Sequence, residues 1–228
     1  MRRRHCLPEE FAVWYHLFKY VLVGPVLRLL GRPTVVGREH LPAKGPVILA
    51  GNHLAVADSF YLCLMVRRRI IFIAKSEYFT APGIKGRMLR WFYSATGQVP
   101  VDRSGGRAAA DALEAATAIL RDGGVWGIYP EGTRSPDGRL YRGKTGAMRV
   151  ALATGVPVLP VVVKGTETVN PPGSRCWRFG RVEVKICPPL DLSAYRPDQF
   201  RAATDHLMAV LREESGQEYV NTYAVRAA

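Results

Sequence analysis

Apolar runs of strand length recur along this chain, and all but the last two are separated from one another by a stretch of helical spacing. Residues 47–50, 70–74, 97–101, 125–129, 156–163 and 181–186 read as strands. Residues 59–66, 84–94, 107–121, 147–153 and 197–214 read as helices between and after them. The third of these sets Leu113, Ala116 and Leu120 on one face before Gly123-Gly124 stops it. Strands alternating with helices predict an α/β layered domain with a mostly parallel central sheet flanked by helices. Pro33 and the polar GREHLPAKG segment are expected to be a linker into the first strand at 47–50. Pro157 and Pro160 are expected to open and interrupt the strand at 156–163.

The first strand carries the chemistry. VILA runs into Gly51, then Asn52-His53, with Asp58 five residues after the histidine. In an open α/β sheet the C-terminal edge of the strands is where ligands bind. A histidine there can act as a general base, and a carboxylate on its second ring nitrogen fixes the tautomer and stabilises the imidazolium. The competing reading makes Asp58 the N-cap of the helix at 59–66 and His53 a structural residue.

Thirty-two Lys and Arg against nineteen Asp and Glu give a net charge of +13. That balance favours a polyanionic partner: an anionic membrane surface, phosphorylated substrates or nucleic acid. No zinc finger or aromatic RNA-binding signature occurs, so nucleic acid is not expected. Cys6, Cys63, Cys176 and Cys187 lack metal-ligand spacing, so no metal is expected, and they suit a reducing cytoplasm. No secretory signal with a cleavage site is evident.

The N-terminus begins with Arg2-Arg3-Arg4 and continues in an apolar stretch at 11–30 that contains His16, Lys19 and Arg28 and breaks at Gly24-Pro25. Two short amphipathic helices lying in a membrane interface fit this better than one span. Trp14, Tyr15, Phe18 and Tyr20 are suitable interfacial anchors. The alternative is a helical hairpin packed on the protein's own core. Residues 1–32 are therefore expected to form the membrane-contact segment and 33–228 the catalytic domain, on the cytoplasmic face of the cell membrane.

Four blocks then occur in order: Asn52-His53-x4-Asp58, Gly97-Gln98-Val99-Pro100-Val101-Asp102-Arg103, Tyr129-Pro130-Glu131-Gly132-Thr133-Arg134-Ser135, and Val156-Pro157-Val158-Leu159-Pro160-Val161. Together they resemble the glycerolipid acyltransferases typified by 1-acylglycerol-3-phosphate acyltransferases. The resemblance implies transfer of a fatty acyl group from coenzyme A or acyl carrier protein to the hydroxyl of a phosphorylated glycerol. His53 and Asp58 are the implied catalytic residues, with no cofactor beyond the acyl donor. It also implies that Lys75, Arg103 and Arg134 hold the acceptor's phosphate, that Glu131 and Gly132 help hold its glycerol backbone, and that Thr133 belongs to the substrate-binding set. Lys144 is a further candidate for the phosphate. The acceptor it favours is 1-acylglycerol 3-phosphate, with glycerol 3-phosphate as the alternative. Two departures stand out. Tyr129 replaces the family's more usual Phe, and the apolar Leu54-Ala55 replace its usual polar residues. Neither is expected to touch the chemistry, though the second bears on the acceptor.

Two other readings compete. A non-catalytic lipid-binding adaptor on the same scaffold has no need of the His53–Asp58 pair. Gly138-x4-Gly143-Lys144-Thr145 fits a phosphate-binding loop letter for letter. Such a loop needs a strand running straight into its first glycine, and here the PEGTRSPDG segment intervenes.

Overall fold

The protein is described by a computed structural model covering residues 9–101, 107–174 and 176–225. The chain opens with helix α1 (Glu9–Leu17), a π-helical turn at Phe18–Leu22, and α2 (Gly24–Gly31), whose first turn carries Pro25. Then come β1 (Thr34–Val36), β2 (Val47–Gly51), α3 (Ala57–Met65), β3 (Ile70–Lys75), α4 (Glu77–Thr80), α5 (Gly83–Ala95) and β4 (Val99–Val101). The second half runs α6 (Ala108–Arg121), β5 (Val125–Ile128), β6 (Leu140–Tyr141), α7 (Gly146–Thr154), β7 (Val158–Lys164) and α8 (Thr166–Val169). It closes with β8 (Glu183–Ile186), α9 (Phe200–Ser215) and β9 (Tyr219–Val220).

Seven strands form one sheet in the order β1-β8-β7-β2-β5-β3-β4. Neighbours run parallel except β7 and β8, which are antiparallel. The α/β class expected from the alternation is the class observed. β2 lies inside the sheet, and both its faces are covered. Val47 and Leu49 pack in one cluster with Tyr61 and Leu62 of α3, whereas Ile48 and Ala50 pack in another with Leu120, Met148 and Leu207. That two-sided burial is why β2 is an unbroken apolar run rather than an alternating one.

Register places the site. Ala50 of β2 pairs with Ile128 of β5, and Gly51 with Val161 of β7. Asn52-His53, Tyr129-Pro130-Glu131 and the end of β7 therefore leave the sheet side by side at its C-terminal edge.

The structure departs from expectation in three places. Thr34–Val36, inside the presumed linker, is an edge strand pairing in parallel with β8, so 47–51 is the second strand. Three residues are too few to carry a readable period. Pro160 does not interrupt its strand: β7 runs through it. The β7–β8 pairing begins at Val161↔Ile186, so the missing Pro160 N–H faces the point where β8 has ended. Its carbonyl accepts the Cys187 N–H at 2.9 Å. Finally, Leu140–Tyr141 and Tyr219–Val220 form a separate two-stranded pair.

The N-terminal helices pack on the rest of the protein and still expose an apolar face. Leu27 lies in the core, its carbonyl accepting the Tyr61 hydroxyl at 3.1 Å, and the Leu30 and Gly31 carbonyls accept Gly180 and Val182 N–H groups. Lys19 is buried with its ammonium donating to the Val66 carbonyl. Trp14 and Phe18 meet Trp91 of α5 edge-on, each at 5.2 Å between ring centroids. Val21, Leu22, Val26 and Leu29 remain exposed, as do Ile84 and Met88 of α5. Among the described residues no helix is long and apolar enough to cross a membrane.

Candidate active site

The loop between β2 and α3 closes on a single carboxylate. Asp58 is fully buried, and its Oδ2 accepts Nδ1–H of His53 at 2.7 Å and the Leu54 and Ala55 N–H groups at 2.7 and 3.0 Å. Its Oδ1 accepts the Thr166 hydroxyl, from the start of α8. Four donors offset the desolvation of a buried charge. This corrects the capping reading: the amides Asp58 binds precede α3, so it gathers the catalytic loop rather than capping the helix. With Nδ1 engaged, Nε2 is left as the imidazole's acceptor, and the His53 side chain remains 17% exposed.

The loop after β5 supplies the second half of the site. Glu131 is buried, and its two oxygens accept the His53 N–H at 3.0 Å and the Tyr141 N–H at 2.9 Å. Burial raises its carboxyl to about 7, with the two amide bonds opposing the rise. Glu131 is thus a positioning residue directed at backbone. That replaces the expectation that it holds the acceptor's glycerol, because its carboxylate faces inward. The Ser135 N–H donates to the His53 carbonyl at 2.7 Å, which ties Arg134, one residue earlier and exposed, to the same locality.

Gly132 has φ of +77°, and a β-carbon there would stand 3.0 Å from the Lys144 side chain. Glycine lets Lys144, itself exposed, lie across this loop, and the Lys144 N–H donates to the Pro130 carbonyl at 2.7 Å. The Gly132 N–H is taken by the Tyr129 carbonyl at 2.9 Å. Thr133 is half-buried between them. Lys75 ends β3, and its side chain lies outside the described residues, as does all of Arg103. The structure therefore brings together His53, Asp58, Glu131, Gly132, Thr133, Arg134 and Lys144.

Tyr129 packs against the histidine. Its ring lies parallel to the His53 imidazole, 3.9 Å between centroids and 8° between planes, and its hydroxyl shares a 2.8 Å hydrogen bond with Ser59. Desolvation in this position pushes its phenol well above the ordinary tyrosine value. Phe72 stacks beyond it at 5.6 Å, in space that Gly127 leaves open on β5. Leu54 and Ala55 are buried, Ala55 in the core, and both contribute amides to Asp58, while Leu54 also borders a small cleft with Asn52, Lys164 and Gln217.

The segment resembling a phosphate-binding loop is built differently. Leu140 and Tyr141, inside it, are buried and pair with Tyr219 and Val220, and β5 ends ten residues before Gly138. Thr166, Ser59 and Tyr141 were not legible as site residues, since no spacing ties them to His53.

An α/β sheet with a carboxylate-held histidine at its C-terminal edge is the frame of an acyl-transfer domain, and the chain belongs to the acyltransferase family. The family model matches residues 32–164, more than half of the chain. It is 35% identical over 158 residues to a chloroplastic 1-acyl-sn-glycerol-3-phosphate acyltransferase of Arabidopsis thaliana, covering 68% of this chain and 43% of that protein. Against the bovine (Bos taurus) 1-acyl-sn-glycerol-3-phosphate acyltransferase alpha, identity is 29% over 193 residues, covering 81% of this chain and 64% of that one. The chain thus spans about half the length of the curated relatives it matches. Among solved structures, the 1-acyl-sn-glycerophosphate acyltransferase PlsC of Thermotoga maritima superposes with a TM-score of 0.69 at 27% identity, covering 90% of this chain and 78% of that one.

Proposed function

We propose that this protein transfers a fatty acyl group from an acyl thioester to the free hydroxyl of 1-acylglycerol 3-phosphate, giving phosphatidic acid. The observation that carries the reading is the 2.7 Å His53–Asp58 hydrogen bond, which leaves Nε2 to meet a substrate hydroxyl. Nε2 takes the hydroxyl proton as the oxygen attacks the thioester carbon. The carbon–sulfur bond then breaks, and the departing thiolate receives that proton from the imidazolium. Asp58 stabilises the imidazolium meanwhile, in triad logic with the substrate as nucleophile. On this reading Arg134, tied to the His53 loop through the Ser135 amide, and Lys144, against Gly132, bind the acceptor's phosphate, and Lys75 and Arg103 are assigned to it by motif alone.

Coenzyme A and acyl carrier protein are both anionic donors suited to a +13 chain. The relatives named above support 1-acylglycerol 3-phosphate as acceptor. Assaying thiol release over an acceptor panel with both donors tests this reading. Turnover with 1-acylglycerol 3-phosphate should exceed that with glycerol 3-phosphate, and the reverse ranking would reject the acceptor assignment. Arg134→Ala should raise the acceptor KM about tenfold or more, the loss of one charge-assisted phosphate contact, with kcat little changed.

The exposed apolar residues Val26 and Leu29 of α2, and Ile84 and Met88 of α5 among Lys85, Arg87 and Arg90, support docking to an anionic membrane, and the cytoplasmic side is part of the same proposal. Leu27 belongs to the core, so point changes test this better than deleting residues 1–32. Val26→Glu with Leu29→Glu should sharply reduce flotation with anionic vesicles while the protein stays folded. Undiminished flotation would exclude this face.

A further inference from the structure

The residues after α9 reach the catalytic loop although they lie outside the segment matched by the family model, which ends at residue 164. Gln217 Oε1 accepts a hydrogen bond from Asn52 Nδ2 at 2.8 Å, and Gln217 Nε2 donates to the Gly138 carbonyl at 2.6 Å. Asn52 is buried and immediately precedes His53. Its amide is otherwise used against β7, donating to the Val163 carbonyl at 3.0 Å and accepting the Val163 N–H at 2.8 Å. Gln217 therefore takes the donor that the sheet leaves over.

Two residues further on, β9 pairs with β6, and the Leu140 and Arg142 N–H groups donate to the Glu218 and Val220 carbonyls at 2.9 and 3.1 Å. This pairing holds Tyr141, between them, where its own N–H meets Glu131, and Glu131 in turn holds the His53 amide. The C-terminal strap thus grips the catalytic histidine's backbone from two sides, through Asn52 and through Glu131.

On the proposed acyl-transfer reading, we infer that Gln217 is a positioning residue: its hydrogen bond to Asn52 holds the Asn52–His53 peptide in the register from which Nε2 addresses the acceptor hydroxyl. Reaction rates are steep in placement, and a displacement near 1 Å can cost about a hundredfold. A residue that acts through Asn52 alone should show its loss in kcat and leave both KM values alone.

The test compares Gln217→Ala and Gln217→Glu with wild type in acceptor-dependent thiol release, with thermal melting alongside. Gln217→Ala should lower kcat about tenfold with both KM values within twofold and the protein folded. Gln217→Glu keeps an acceptor for Asn52 Nδ2 but sets a carboxylate oxygen against the Gly138 carbonyl, so its kcat should lie between that of Gln217→Ala and wild type. Folded Gln217→Ala with kcat within twofold of wild type would overturn the assignment. Should Gln217→Ala fail to fold, Gln217→Met, which keeps the bulk of the side chain without its amide, decides instead: about a tenfold loss of kcat supports the assignment and kcat within twofold of wild type counts against it. A wild type that releases no thiol would instead reject the acyl-transfer reading itself, so the two failures are distinguishable.

Discussion

Replacing His53 with Ala should lower kcat about 10²–10⁴-fold, the range lost when a positioned general base is removed. Asp58→Asn should come close to it, for a reason visible in the loop. Asp58 Oδ2 collects His53 Nδ1–H and two amides, and Oδ1 collects the Thr166 hydroxyl. An Asn side chain offers one carbonyl oxygen and one NH2. With the NH2 toward His53, it opposes the Leu54 and Ala55 amides. With the NH2 toward Thr166, whose hydroxyl can turn to accept it, the oxygen keeps its donors but the negative charge that stabilises the imidazolium is gone. If the NH2 faces His53, the imidazole must present the other tautomer and Nε2 ceases to be the acceptor. Initial-rate kinetics check this: kcat should collapse in both variants, while equilibrium binding of acyl donor survives in His53→Ala. Wild-type turnover in either variant would remove the base assignment.

The second large effect belongs to Glu131. Glu131→Ala leaves the His53 and Tyr141 amides without their acceptor in a buried place, at about 1–3 kcal/mol each. The expected destabilisation is about 2–5 kcal/mol in denaturant melts, together with loss of turnover. A pH dependence accompanies it. The Glu131 carboxyl titrates at about 7 when folded, against an ordinary value of 4.5. Between those values the folded state binds more protons than the unfolded state, so this group's contribution to stability falls as pH rises. Glu131→Gln cannot titrate. The stability difference, wild type minus Glu131→Gln, should therefore shrink as pH rises from about 4.5 to about 7 and be level beyond. A difference that grows with pH would contradict the burial argument.

The parts of this fold legible in the sequence are those in which one segment decides its own structure. The β2 run announces burial on both faces, and Gly24-Pro25 marks the division between the N-terminal helices. The histidine at the end of β2 is legible as well, because a strand's C-terminal edge is fixed by the strand itself. Partners assembled from distant segments were not. Glu131 reads as a substrate ligand until its two oxygens are seen to meet the amides of His53 and Tyr141. Asp58 is legible as the partner of His53, but its Thr166 donor, 108 residues away, is not. Tyr129 for Phe looks neutral in a motif, yet it sets a phenol against the imidazole and a hydroxyl against Ser59. Gln217 carries no motif at all, and only the β6–β9 pairing brings its strap to the loop.

The central claim is that His53 activates a substrate hydroxyl for direct attack on a thioester, with no acyl group carried on the protein. Thiol release from an acyl thioester, measured with and without 1-acylglycerol 3-phosphate, tests it most directly. Wild type should release one thiol for each phosphatidic acid formed and none without acceptor, and His53→Ala should be reduced to near background. A stoichiometric burst of thiol in the absence of acceptor, or release by His53→Ala at the wild-type rate, would contradict it.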